Sequence, residues 1–101
     1  MKRIVFKYLK LKIQKDNISL KVKGISMLPT ICENDIVTIK YKSTIREGDI
    51  IAFFYKDELL VHRVIKVYEQ IYWCKGDNAV MIEKVDKKDL LGIIDSVRKS
   101  L

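Results

Sequence analysis

No apolar run in this chain is longer than six residues. The longest, Ile50 to Tyr55, belongs to a 101-residue sequence whose apolar stretches are short and separated by turn-forming residues. A membrane-spanning helix needs roughly 20 consecutive apolar residues, so none is expected. Nor is a cleavable signal peptide, because lysines interrupt the apolar stretch after the basic N-terminus. Ile18, Leu20 and Val22 alternate with Ser19, Lys21 and Lys23, as in a half-buried strand. Ile36 to Tyr41 is β-branched and follows Glu33-Asn34-Asp35. Arg46-Glu47-Gly48-Asp49 is a turn that launches Ile50 to Tyr55, and Lys56-Asp57-Glu58 reads as a hairpin connection into Leu59 to Tyr68. Gln70 to Cys74 and Ile93 to Val97 complete the series, and Lys87 to Leu91 reads as a helical turn ended by Gly92. Short strands at regular spacing predict a mostly β fold, a sandwich or barrel-like sheet.

Residues 2–15 break this pattern and are read as an amphipathic helix. Ile4, Tyr8 and Leu11 cluster on one side, widened by Val5, Leu9 and Ile13, with Arg3, Lys7 and Lys10 opposite. A strand competes, because Leu9, Leu11 and Ile13 alternate with Lys10 and Lys12. The expected organisation is one domain over residues 1–101, with the helix at 2–15 and a β-rich body at 18–101. Hydrophobic residues make up 49% of the chain, enough to exclude wholesale disorder.

The formal net charge of +7 is concentrated at one end. Residues 1–23 hold eight basic groups and one acid, whereas residues 24–101 hold twelve of each. A basic element of this kind suits an anionic membrane or an acidic partner, and a solubilising face is the plain alternative. Nucleic acid is the weaker expectation, because no aromatic residues interleave the basic positions in a known motif. Cys32 and Cys74 lack metal-ligand spacing, so two free, buried thiols and no metal or cofactor are expected.

The chemistry-bearing residues are few. Ser26 lies in Gly24-Ile25-Ser26-Met27-Leu28-Pro29-Thr30, where Gly24 permits unusual backbone angles and Pro29 disfavours helix at Leu28. Such a corner exposes a serine, but a serine is a poor nucleophile until a base takes its proton. The only histidine, His62, is the one imidazole available, and a structural role in its apolar strand is the alternative. On that strand His62, Val64 and Lys66 should share one face. Lys75-Gly76-Asp77-Asn78 offers a carboxylate to orient the imidazole, against the reading of Asp77 as an ordinary turn residue. Asp35 and Asp49 read as structural turn residues.

Four strings in order, Gly-x-Ser-Met-x-Pro-Thr, Glu-Gly-Asp-Ile-Ile-Ala-Phe, Val-His-Arg-Val-Ile and Lys-Gly-Asp-Asn, together resemble the signal peptidase I family. The resemblance is to its Ser–His branch, with the LexA-type self-cleaving domains sharing the fold. It implies a LexA/signal-peptidase-like β-fold, Ser26 as nucleophile, His62 as base and Asp77 as acidic partner. Glu83, at the branch's second acid position, is the second choice. Gly24, Ile25 and Met27 are implied at the oxyanion hole or substrate cleft. Bacterial relatives often carry a serine where Gly24 stands, so the oxyanion would rest on backbone amides, that of Ser26 first. The implied substrate is a leader or signal-like peptide, extended against a sheet edge, with small residues beside the scissile bond. A free imidazole titrates near ~6.5, so activity should rise through that region, whereas a lysine base would act only above about 9. Family members usually have a membrane anchor before the serine; here the basic helix stands in that place, which implies a cytoplasmic or peripherally membrane-associated protein. Two rivals remain. One is a catalytically idle peptide-binding or scaffold module. The other is a LexA- or UmuD-like self-cleaving regulator, for which the chain lacks the Ala-Gly or Cys-Gly dipeptide that such proteins cut.

Overall fold

The apolar run Ile50–Tyr55 becomes β3, and the computed structural model, which describes residues 1–100, explains its composition. β3 is central and buried on both faces. Ala52 and Phe54 point into one hydrophobic cluster, Ile51 and Phe53 into a second on the opposite side. A strand buried on both sides has no reason to alternate.

The other strands are β1 (Ile18–Lys21), β2 (Ile36–Lys40), β4 (Glu58–Tyr68), β5 (Ile71–Lys75), β6 (Ile82–Asp86) and β7 (Leu90–Arg98). They form one curled antiparallel sheet in the order β1-β2-β7-β3-β4-β5-β6, leaving β1 and β6 as edges. The fold is therefore mostly β, as a single sheet rather than two packed ones. Two expectations change at its C-terminal side. β6 was not anticipated, and Gly92 lies inside β7 instead of ending a helix; a short 3₁₀ turn, Lys87–Asp89, precedes that strand. A β-carbon on Gly92 would meet the Lys40 carbonyl oxygen at 2.5 Å, so glycine permits the close approach of β2 and β7.

Helix α1 (Arg3–Ile13) crosses one face of the sheet. Its anchor is Phe6, 1% exposed, whose ring stacks on Phe54 at 5.0 Å, with Ile13 buried in the same cluster and Leu9 packed against it. The core-facing side is thus Phe6, Leu9 and Ile13. The expected stripe of Ile4, Tyr8 and Leu11 is exposed.

β4 carries a further departure. Its pairing with β5 shifts between Val64 and Lys66, leaving Ile65 as the extra residue of a bulge. After the bulge Val67, and not Lys66, returns to the core face. Lys66 turns outward and places its ammonium 5.0 Å from the centre of the Trp73 ring. Before the bulge Leu60, His62 and Val64 keep strict alternation, which fixes His62 inward.

Candidate active site

Ser26 starts the turn between β1 and β2. The amide of Leu28 donates to Ile25 O (3.2 Å) and that of Ile31 to Met27 O (3.0 Å), closing the turn around a cis Leu28–Pro29 peptide. Gly24 has φ +84°, a left-handed conformation that a serine would strain to adopt. Its N–H donates to Glu33 Oε2 at 2.9 Å. Met27 is buried beneath the turn, and its sulfur accepts the Asp77 N–H at 3.3 Å.

His62 is 6% exposed, opposite Ile51 on β3, its ring in a T-shaped contact with that of Phe53 at 6.0 Å. Its Nε2 lies 3.0 Å from Ser26 Oγ and its Nδ1 lies 2.7 Å from Glu83 Oε1. An ionised carboxylate only accepts, so Nδ1 carries the proton given to Glu83. Nε2 is then bare and accepts the serine hydroxyl. That polarity matches a serine nucleophile, a general base and an orienting acid.

The acid on His62 is Glu83 and not Asp77, the expected first choice. Glu83 is the second residue of β6, opposite Cys74, and it is 7% exposed beside the apolar cluster that holds Val85. Asp77 is instead engaged by Arg63, whose Nε and Nη2 donate to its two oxygens at 2.9 Å each, and by the Thr30 hydroxyl at 2.5 Å. Arg63 Nη1 also donates to Gly48 O at 2.9 Å. Arg63 beside it holds the Asp77 carboxyl below the ordinary carboxylate range, and Asp77 raises the Arg63 guanidinium in turn. Asp77 therefore fastens the serine turn to β4 rather than orienting the imidazole.

Two residues of the same string matter in ways not expected. Asn78 holds the serine turn from the other side: its N–H donates to Ser26 O (2.7 Å) and its side-chain amide to Ile25 O (3.1 Å). Gly76 leaves room for the site. A β-carbon there would stand 2.6 Å from Ser26 O and 3.2 Å from His62 Cδ2. Its place beside Asp77 in the Lys75-Gly76-Asp77-Asn78 string was the available signal.

Ser26 and His62 sit at the edge of a cleft of about 410 Å³. Its walls include Leu20 and Val22 on one side and Leu59 and Val61 on the other, with Met27 and Val37 also lining it. Gly24 and Ile25 do not line it; Ile25 is 60% exposed. β1 pairs only with β2, and Glu58 to His62 pair with β3 but not β5, whose pairing starts at Arg63. Both walls thus present strand edges without a partner. The amide of Ser26 has no acceptor among the described residues.

Cys74, fully buried, has its thiol pushed up to about 12 by desolvation and then by the neighbouring Glu83 charge. Both cysteines are free, Cys32 being half-buried.

A family model described as Peptidase S24-like matches residues 2–97, from the helix into β7. No curated protein matches the chain.

Proposed function

The chain belongs to the Peptidase S24-like family, a group of serine peptidases and LexA/UmuD-like self-cleaving proteins with this mostly β fold, and on that premise we propose that it is an endopeptidase that cuts an extended, leader-like peptide through Ser26, His62 and Glu83. The observation that carries the reading is the unbroken chain of contacts, Ser26 Oγ to His62 Nε2 at 3.0 Å and His62 Nδ1 to Glu83 Oε1 at 2.7 Å.

In the proposed reaction the peptide lies in the cleft as an added strand, its backbone bonded to the free edges near Leu20–Val22 and Leu59–Val61. His62 takes the Ser26 proton as Oγ attacks the scissile carbonyl. Glu83 stabilises the imidazolium that forms and keeps Nε2 aimed at the serine. The unpartnered Ser26 amide is the donor assigned to the oxyanion. His62 then protonates the leaving amine, and water, deprotonated by the same imidazole, releases the acyl group. With Gly24 in place of a side-chain donor, turnover is expected to be slow, since one such donor is worth roughly 10²–10³ in rate in other hydrolases.

Cleavage in trans is favoured over self-cleavage by the chain's own glycines. They follow Lys23, Glu47, Lys75 and Leu91. Gly76 is packed against Ser26 O, and Gly92 lies within β7 against Lys40 O. Incubation with a mixed-sequence peptide library tests the reading. The wild type should release fragments ending in small residues, and Ser26→Ala should release none. Shortening of the chain itself on a gel, lost in Ser26→Ala, would support the self-cleaving alternative. Neither product from the wild type would leave a binding module.

A further inference from the structure

Helix α1 has two apolar faces, and the sheet covers one of them. Opposite Phe6, Leu9 and Ile13, the side chains of Ile4, Tyr8 and Leu11 follow the i, i+4, i+7 spacing that aligns them in one ridge. They are 74, 62 and 72% exposed. Helical spacing puts Lys7 on one flank of this ridge and Lys12 on the other, and Lys15 lies beyond its C-terminal end. No acidic residue occurs before Asp16.

We propose that this ridge seats the domain on an anionic lipid surface. Scattered exposed apolar residues are ordinary, but three large ones in register, flanked on both sides by lysines, form the pattern of a helix lying in a membrane interface. Lysine stems lie along apolar surface while their ammonium groups reach outward to phosphate headgroups. Six basic groups and no acid lie in residues 1–15, so attraction and burial act at the same place. A second copy of the chain is a poor occupant. Contact along the ridge would bring the lysines of both copies together, and so few side chains fall short of the roughly 800 Å² per partner that a stable dimer buries. No helix among the described residues is long and apolar enough to cross a membrane, so the contact is peripheral.

Co-sedimentation of the full chain with vesicles tests this, comparing pure phosphatidylcholine with phosphatidylcholine mixed with phosphatidylglycerol. Binding is expected only to the mixed vesicles, weakening as salt screens the charges. The double variant Ile4→Ser/Leu11→Ser should bind at least about tenfold less with an unchanged unfolding midpoint, because both side chains are exposed. Lys7→Gln/Lys12→Gln should lose the preference for anionic lipid. Absence of binding at low salt would overturn the proposal. So would equal binding by the Ile4/Leu11 variant, which reduces the effect to general charge attraction. Dimerisation without vesicles, lost in that same variant, would assign the ridge to a second copy instead.

Discussion

At the scale of single residues, the site depends on which of two acids reaches the imidazole. His62 and Arg63 are neighbours on β4 and point to opposite faces. Asp77 lies on the Arg63 side, where a forked guanidinium matches a carboxylate with two parallel bonds. Asp77→Asn is accordingly expected to act on stability. It weakens a bidentate pair and the Thr30 contact, at about 1–3 kcal/mol, measured by denaturant unfolding. Gly76→Ala is expected to act on the reaction. Its methyl group would press on Ser26 O and the His62 ring, and a misplacement of about 1 Å can cost about 10²-fold in rate. The measurement is kcat/KM on a cleaved library peptide, with far-ultraviolet circular dichroism to show that the sheet persists. Ser26 and His62 were legible in the sequence because each sits in a short, ordered string. The choice between Asp77 and Glu83 was not, since spacing alone does not tell which face of β4 each acid meets.

At the scale of elements, sequence pattern succeeded where burial is one-sided and failed where it is inverted. β1, β2, β4, β5 and the later part of β7 were readable from alternation, β-branching and turns, and β3 from its unbroken apolar run. β6 was not, because its inward residues are Glu83 and Val85 while Ile82 faces outward, 47% exposed. A strand that buries an acid and exposes an isoleucine hides its own period. The bulge at Ile65 is similar, since it reassigns Lys66 and Val67 to opposite faces without any glycine or proline to announce it. Helix α1 was found, but its packed side was not, because Phe6 lies off the stripe read from the spacing while Leu9 and Ile13 belong to its margin. The structure chooses the face with Phe6, where the Phe54 ring is available for stacking. Phe6→Ala should therefore cost about 3–5 kcal/mol in chemical unfolding. Ile4→Ala should stay within about 0.5 kcal/mol.

At the scale of the whole molecule, the end of the described chain fastens the serine turn to the sheet. Asp35 is 2% exposed and accepts from the Ser100 amide (2.9 Å), the Cys32 amide (2.8 Å) and Lys99 Nζ (3.0 Å). These partners, the Ser100 amide foremost, lower its carboxyl from 3.8 to about 2. The folded value lies below the unfolded one, so this contribution is present above 3.8 and is lost as pH falls toward about 2. Thermal unfolding of wild type and Asp35→Asn should differ at neutral pH and converge over that acid range. The chain of contacts Ser26–His62–Glu83 has the same long reach: it joins the turn after β1, the middle of β4 and the edge strand β6, so it exists only when the whole sheet is assembled. The measurement that tests it most directly is kcat/KM for Glu83→Gln on a peptide the wild type cuts. The account predicts a fall of about 10²–10⁴, carried by kcat with little change in KM or in the unfolding midpoint, because the imidazole loses its orienting charge. A Glu83→Gln enzyme within about twofold of wild type would contradict it.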